Sequence, residues 1–494
     1  VPVVFHDEPY REEEGFASEE DYGRDFGRPL NEPANGPEGP AAPAAVEEPD
    51  AALLALIPAQ PRTMADTGLS RAFLTELALK TIHYSGQPSA NHITDRMCLP
   101  PAIVLNLLST LADEHLCEVV SSSNAMAGNY RYRLTAGGID RVKDALERSR
   151  YAGPAPVTIE HYIEVMEQQR AVRPRPSRES IEAALSEPVL APQVMDNIAR
   201  ALYSGRCTLL YGPSGNGKTT VLEAFARHLK GTVLVPYSIY AQGQIIRVFD
   251  SGMHVPAAQL RAASLPSAGI GESWEGPTRP DERWAVVQRP AVAVGGELVP
   301  ESLELAFDPV SRFYQAPPQL KAQGGLLIVD DFGRQRIRPE DLLNRWITPL
   351  ERGWDTLAFH TGEKISVPFD VHLLFATNVR VELLLDQPFL RRILYKVEIP
   401  NPGPDEFQEI LRRVCQERGV SATEEALRHV VRRLYEGGQR PHASHARDIL
   451  DIVIESANYD NVEPALTPEA FERAFRLFLP ETMADAPDSP SYQG

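Results

Sequence analysis

Between Thr208 and Leu229 the chain passes from a short apolar run, through Gly212-Pro213-Ser214-Gly215-Asn216-Gly217-Lys218-Thr219-Thr220, into an amphipathic segment. The spacing fits G-x-x-x-x-G-K-[ST], and few folds accommodate it. A strand must end, the backbone must curl with several N–H groups pointing inward, and a helix must start with its positive end facing the enclosed space. Gly212, Gly215 and Gly217 permit the curl. The pattern predicts a phosphate-binding loop between a strand at Thr208 to Tyr211 and a helix from Thr220 to Leu229. Lys218 would neutralise the β- and γ-phosphates, and the Thr219 hydroxyl would ligate Mg²⁺. A chance glycine-rich turn would not be flanked by both elements.

At 494 residues the chain is too long for one typical domain, and a prior of about 100 to 200 residues per domain suggests two to four. No apolar run approaches the roughly 20 residues of a membrane helix, so a soluble, cytoplasmic protein with no membrane partner is expected. Cys98, Cys117, Cys207 and Cys415 are scattered without C-x-x-C pairs, which suggests neither zinc nor a disulfide framework. The formal charge is -19, and residues 1 to 50 hold fourteen acidic residues against three arginines. Residues 1 to 64, rich in Pro, Ala, Gly and Glu, are read as a disordered acidic tail, and 481 to 494 as a second flexible end. The chain begins at Val1 rather than Met, so its true start is left open.

From Ala65 to Arg150 the periodicity predicts a small folded module. Phe73, Leu74, Leu77, Ala78 and Ile82 form a helical stripe; Ser89 to Met97 and Pro100 to Leu116 make two more helices. Cys117 to Ser121 and Tyr130 to Leu134 are β-like, and Ile139 to Arg148 is helical. This order, with Tyr132-Arg133-Leu134-Thr135-Ala136-Gly137 at the wing-to-helix junction, resembles a winged helix. That family is associated with DNA through its third helix, yet here this helix contains no Lys or Arg, and the module balances nine basic against nine acidic residues. Nucleic-acid binding leaves an electrostatic footprint, so a protein-interaction or oligomer-positioning role is preferred and DNA stays the rival. Residues 151 to 189 are read as a connector.

Leu326-Leu327-Ile328-Val329-Asp330-Asp331 is an apolar run ending in paired carboxylates, as expected of a buried parallel strand that delivers acids to its C-terminal edge. A further strand, Val371 to Ala376, ends in Thr377-Asn378. With the glycine loop before them, these segments resemble the AAA+ ATPases over roughly Leu190 to Leu479. The resemblance implies a parallel α/β sheet sandwiched by helices at 190 to 400 and a helical lid at 401 to 480. It also implies ATP binding, with Mg²⁺ held through Thr219 and Asp330, partly by water. Asp331 would polarise the attacking water, a position where Glu is more common, and Asn378 matches sensor 1, which in that family sits between the two motif strands. Arg391 and Arg392 resemble the arginine-finger segment, which acts on a neighbour's nucleotide and requires a homo-oligomer, a hexamer in the favoured reading. Arg447 matches sensor 2.

Residues 236 to 323 exceed what such a core needs and are read as an insertion, with strands at Gln244 to Phe249, Trp284 to Gln288 and Ala291 to Val294. Hairpins here resemble those of the MoxR and chelatase branch and of enhancer-binding activators, and Trp274, Phe313 and Tyr314 are candidate client contacts alongside ordinary core packing. Arg334, Arg336 and Arg338 form a basic patch that suits a neighbouring subunit's acids better than nucleic acid. The chain thus resembles bacterial chaperone-like AAA+ ATPases with a winged-helix-like module. A ring-forming ATPase acting on an unidentified protein client is the expectation; a DNA-bound regulator or helicase loader is the alternative.

Overall fold

The computed structural model describes residues 51–121, 130–173, 175–257, 279–381, 393–436 and 440–478. At its centre is a parallel sheet of five strands: β4 (Thr208–Tyr211), β9 (Ala291–Val294), β12 (Leu326–Val329), β15 (His372–Thr377) and β16 (Tyr395–Glu398). They run side by side in the order β16-β4-β15-β12-β9. Side chains alternate across a strand, and this divides the apolar runs between two cores. Leu209, Leu327, Val329, Leu373 and Phe375 face one way, onto Leu342, Leu343 and Trp346 of helix α11 (Pro339–Arg352). Leu210, Leu326, Ile328, Leu374 and Ala376 face the other, onto helices α7 (Arg178–Ser186), α8 (Pro192–Ser204) and α9 (Lys218–Arg227). The expected α/β layering, a parallel sheet covered by helices, is present.

The edge strand differs from the sequence reading. Ala291 to Val294, read as part of the insertion, pairs in parallel with β12. Thr232 to Val235, read as the strand after the loop helix, lies outside this sheet: β5 (Thr232–Pro236) pairs antiparallel with β8 (Trp284–Gln288). Both are short apolar runs, and periodicity cannot choose between them. The observed pairing is permitted by Gly325, where a Cβ would stand 2.0 Å from Pro290 O. Only glycine lets the start of β12 approach β9 so closely.

A second β-rich body gathers β3 (Val157–Thr158), β6 (Ser238–Ala241), β7 (Gln244–Arg247), β10 (Ala306–Asp308) and β11 (Phe313–Gln315) in the order β10-β11-β7-β6-β3. It shares one core with β5, β8, the hairpin β13–β14 (Trp354–Ala358, Lys364–Pro368) and α6 (Ile159–Val172). Tyr314, proposed as a client contact, is fully buried in that core, and Phe313 packs edge-on against Tyr151 at 5.5 Å. Trp274 lies outside the described residues. Residues 51–64, read as part of the disordered tail, belong to the fold: Leu53 of the short helix α1 (Ala51–Leu54) is buried, with Leu56 and Ile57 packed alongside. Gln60 N–H donates to Arg279 O at 2.8 Å, and Asp281 N–H to Pro58 O at 2.8 Å. Three apolar residues among prolines and alanines dock there.

The N-terminal module consists of α2 (Arg71–Ser85), α3 (Ala90–Met97), α4 (Pro101–Asp113), the hairpin β1–β2 (Cys117–Ser121, Arg131–Leu134) and α5 (Ala136–Arg148). Helix α5 starts three residues before the predicted Ile139, because Thr135 Oγ1 accepts from Gly138 N–H at 3.1 Å as its cap. The module docks on the β-rich body through Phe73 and Tyr240, 4.8 Å between ring centres. Helices α12 (Pro404–Glu417), α13 (Glu424–Glu436), α14 (Ser444–Tyr459) and α15 (Pro468–Phe478) enclose a separate apolar cluster, with α10 (Pro318–Lys321) a short turn before β12. Among the described residues no helix is long and apolar enough to cross a membrane.

Candidate nucleotide site

The C-terminal ends of β4, β12 and β15 meet at one edge of the parallel sheet. Beyond β4 the chain enters the glycine loop with φ of +139° at Gly212, +76° at Gly215 and +81° at Gly217. At Gly212 a Cβ would lie 2.2 Å from Ile399 O, at the end of β16, so no larger residue fits without moving that strand. Gly217 then caps α9, whose positive N-terminus opens into the loop. Lys218, on the first turn, is buried, and its Nζ donates to Gly212 O at 3.0 Å and Pro213 O at 2.7 Å. Burial pushes its pKa down, and the facing charges of Asp330 and Asp331 work against that shift.

The next residue joins the two motifs. Thr219 Oγ1 donates to Asp330 Oδ2 at 2.9 Å across 111 positions of sequence. A hydroxyl and a carboxylate oxygen held this closely form a hard-oxygen pair, and the residues present therefore fit Mg²⁺. Asp330 Oδ1 also accepts from Asp331 N–H at 2.9 Å. Asp331 has φ of +48° and an exposed side chain. This backbone turn keeps the second carboxylate clear of the first.

A polar brace holds the acid-bearing turn against β15. Phe332 N–H donates to Ala376 O at 2.7 Å, and Thr377 Oγ1 donates to Phe332 O at 2.6 Å. Thr377 Oγ1 in turn accepts from Val379 N–H at 3.1 Å. Because β15 lies between β4 and β12, Asn378, half-buried at its end, stands between the two motif strands. Gln335, read only as part of a basic patch, contributes differently: its Nε2 donates to Asp330 O at 2.7 Å and its Oε1 accepts from Gly333 N–H at 2.8 Å. Arg334, Arg336 and Arg338 around it are exposed, with Arg338 paired to Asp341 at 2.7 Å.

The loop is also tied to the C-terminal helices. Ser444 N–H donates to Gly215 O at 2.8 Å, and a Cβ on Gly215 would meet Ser444 Oγ at 2.4 Å. Asn216 is buried; its Oδ1 accepts from Ala443 N–H at 3.0 Å, and its Nδ2 donates to Asn401 Oδ1 at 2.8 Å. A cleft opens beside this junction, with Leu190, Val194, Asn216, Ile399, Asn401 and Ala443 among its walls. Arg447 lies on the first turn of α14 and is exposed. Ser214, Thr219 and Thr220 are exposed toward the loop's open side, while Pro213 is half-buried. Arg391 and Arg392 lie outside the described residues. Sequence reasoning missed Asn401, Gln335 and the apolar wall at Leu190 and Val194; a lone Asn before a proline gives no signal of a partner 185 positions earlier.

A family described as a domain of unknown function (DUF8689) matches residues 403–477, which is the C-terminal helical cluster. No curated protein matches the chain. Among solved structures, a RuvB mutant from Thermotoga maritima is 16% identical, with 61% of this chain and 72% of that one covered at a TM-score of 0.32. NtrX from Brucella abortus is 15% identical, with 71% and 72% covered at a TM-score of 0.36. Superposition at that level carries no statement about activity.

Proposed function

We propose that this chain is a cytoplasmic, Mg²⁺-dependent AAA+ ATPase that works as a homo-oligomer, most simply a hexamer, and transmits nucleotide turnover to a protein partner. The observation that carries the reading is the Thr219–Asp330 hydrogen bond at 2.9 Å, with Lys218 beside it in the glycine loop. In this reading Lys218 exchanges the two loop carbonyls for phosphate oxygens, a better match for an ammonium group. Gly212 to Thr220 offer backbone N–H groups and the α9 N-terminus to the phosphates. Thr219 and Asp330 hold the metal ion, which when bound would neutralise charge developing on the phosphates. Asp331 orients the attacking water and accepts its proton, and Asn378 fixes that water from the adjacent strand.

Arg391 and Arg392 are assigned to a neighbouring subunit's phosphates, and Arg447 to the chain's own. The bonds from Gly215 and Asn216 to the start of α14 support a helical lid that senses loop occupancy. A protein partner is favoured over nucleic acid because the outward face of α4 presents Ala102, Asn106, Ser109 and Asp113, without a cation. The test is Asp331→Asn. It should bind ATP with unchanged affinity, hydrolyse it at least about 100-fold more slowly, and accumulate as an ATP-bound oligomer countable by electron microscopy. Undiminished turnover would remove Asp331 from the mechanism, and a variant that stays monomeric with ATP would remove the ring.

A further inference from the structure

The opposite edge of the parallel sheet carries three arginines, one buried, one half-buried and one exposed. Arg289, just before β9, is 7% exposed and donates through Nε to Gly324 O at 3.0 Å. Among the described residues it forms no ion pair. Arg173, after α6, reaches the same region, but its Nη2 is committed to Asp370 Oδ1 at 3.0 Å and its Nη1 to Asp370 O at 3.2 Å. Arg170 Nε is 3.9 Å from that same carboxylate oxygen. One carboxylate therefore pairs with two of the three guanidinium groups, and Arg289, among the described residues, has none of its own. A buried charge left uncompensated is strongly destabilising.

Two polar side-chain atoms nearby are also unsatisfied. Thr232 Oγ1, at the start of β5, is buried without a hydrogen-bond partner, and so is His372 Nε2, at the start of β15. The His372 pKa is pushed down to about 3, first by burial and then by the charges of Arg289 and Arg173. Leu53, Gln169, Val172, Arg173, Thr232 and Arg289 wall a small cleft at this point, where the parallel sheet, α6 and the β-rich body converge.

We infer that this cleft is a binding site for a small monovalent anion, a halide such as chloride, held by Arg289 and the Thr232 hydroxyl, with the charge of Arg173 nearby. The walls decide the class. They are mostly carbon and supply few donors, which suits a weakly hydrated ion and not a phosphate with four oxygens to satisfy. The site is a strand's length from the glycine loop and serves the joint between the two bodies. Binding to the folded chain alone stabilises it by mass action.

The test is thermal unfolding of the full chain at constant ionic strength in sodium chloride or sodium gluconate, together with diffraction from crystals grown in bromide. The midpoint should rise by a few degrees in chloride, a shift expected of a site filled well above its dissociation constant. An anomalous bromide peak should lie between Arg289 and Thr232. Thr232→Val, which keeps shape and removes only the donor, should reduce the chloride shift and the peak; Arg289→Met should abolish both. If Arg289→Met fails to fold, the valine variant and the bromide peak still decide. Equal midpoints in the two salts with no peak would overturn the proposal, as would stabilisation by phosphate but not by chloride.

Discussion

Two lysines of this chain are buried on helices and hydrogen-bonded to backbone carbonyls, yet their surroundings differ. Lys80, in the N-terminal module, is 4% exposed and donates to Ser149 O at 3.1 Å. Lys218, in the glycine loop, is 8% exposed and donates to two carbonyls of the loop that precedes it. Burial lowers the pKa of both. The difference is in what surrounds the ammonium group. Lys80 has Glu76 in its favour and Arg148 against it, inside a packed helical core. Lys218 faces two carboxylates, one of them exposed, beside a helix N-terminus and three glycines at positive φ. A lysine held inside an apolar helical core is a structural element; one held at a helix N-terminus by a glycine loop and two carboxylates is, in the proposed function, a phosphate-binding group.

The largest expected effect follows from that placement. Lys218→Ala should weaken ATP binding by at least about 100-fold, because it removes a charged donor worth about 1.5 to 3 kcal/mol per hydrogen bond. The unfolding midpoint should hardly move, since the lysine's present partners are loop carbonyls that water can serve. Isothermal titration and thermal unfolding on the same sample check both halves. Tight ATP binding by the variant would reduce Lys218 to the class of Lys80.

How much of this site was legible in the sequence depends on the range of the contacts. Gly212 to Thr220 and Leu326 to Asp331 are local patterns whose physics is contained within a dozen residues, and the structure brings them together through Thr219 and Asp330. Thr377 and Asn378 could be placed because an apolar strand must end somewhere near polar residues. The exchange of β5 and β9 was not legible. Each run is apolar enough for either sheet, and the close approach of Gly325 to Pro290 that accompanies the observed pairing is made only in the folded chain. Tyr314 allowed either a client contact or core packing, and the choice is made by β11 lying between β10 and β7; residues 51–64 resembled tail because they continue the alanine and proline content of the stretch before them, although they carry no Asp or Glu. The loop's ties to Ala443 and Asn401 span 227 and 185 positions, beyond any sequence window.

Those ties give an intermediate effect. Asn216→Ala would cost the acceptor for Ala443 N–H and the donor for Asn401, about 1 to 3 kcal/mol for a buried pair of hydrogen bonds. The loss should concentrate at the joint between loop and α14 and leave the sheet intact. Hydrogen exchange should quicken at residues 443 to 446 while the amides of β4 and β15 keep their protection, and ATP affinity should fall by less than in Lys218→Ala. Uniformly faster exchange throughout would mean that Asn216 supports the fold rather than the joint.

The smallest effect belongs to Lys80, and its sign separates the two lysines. Burial brings its pKa from 10.5 down to about 8 in the folded chain, whereas the unfolded chain keeps the ordinary value. Below about pH 8 both states carry the proton, so the penalty for burying the charge is fully present. Between about 8 and 10.5 the folded chain has lost the proton and the unfolded chain has not, so this group makes stability rise with pH. Lys80→Met preserves the aliphatic stem, removes the buried charge and gives up one hydrogen bond to Ser149 O, terms that oppose each other and should leave stability at pH 7 within about 1 kcal/mol of the parent. Denaturant melts from pH 7 to 10.5 should show the parent gaining stability relative to the variant as pH rises. Parallel curves would mean that Lys80 is solvated, and that burial alone does not make the two lysines comparable.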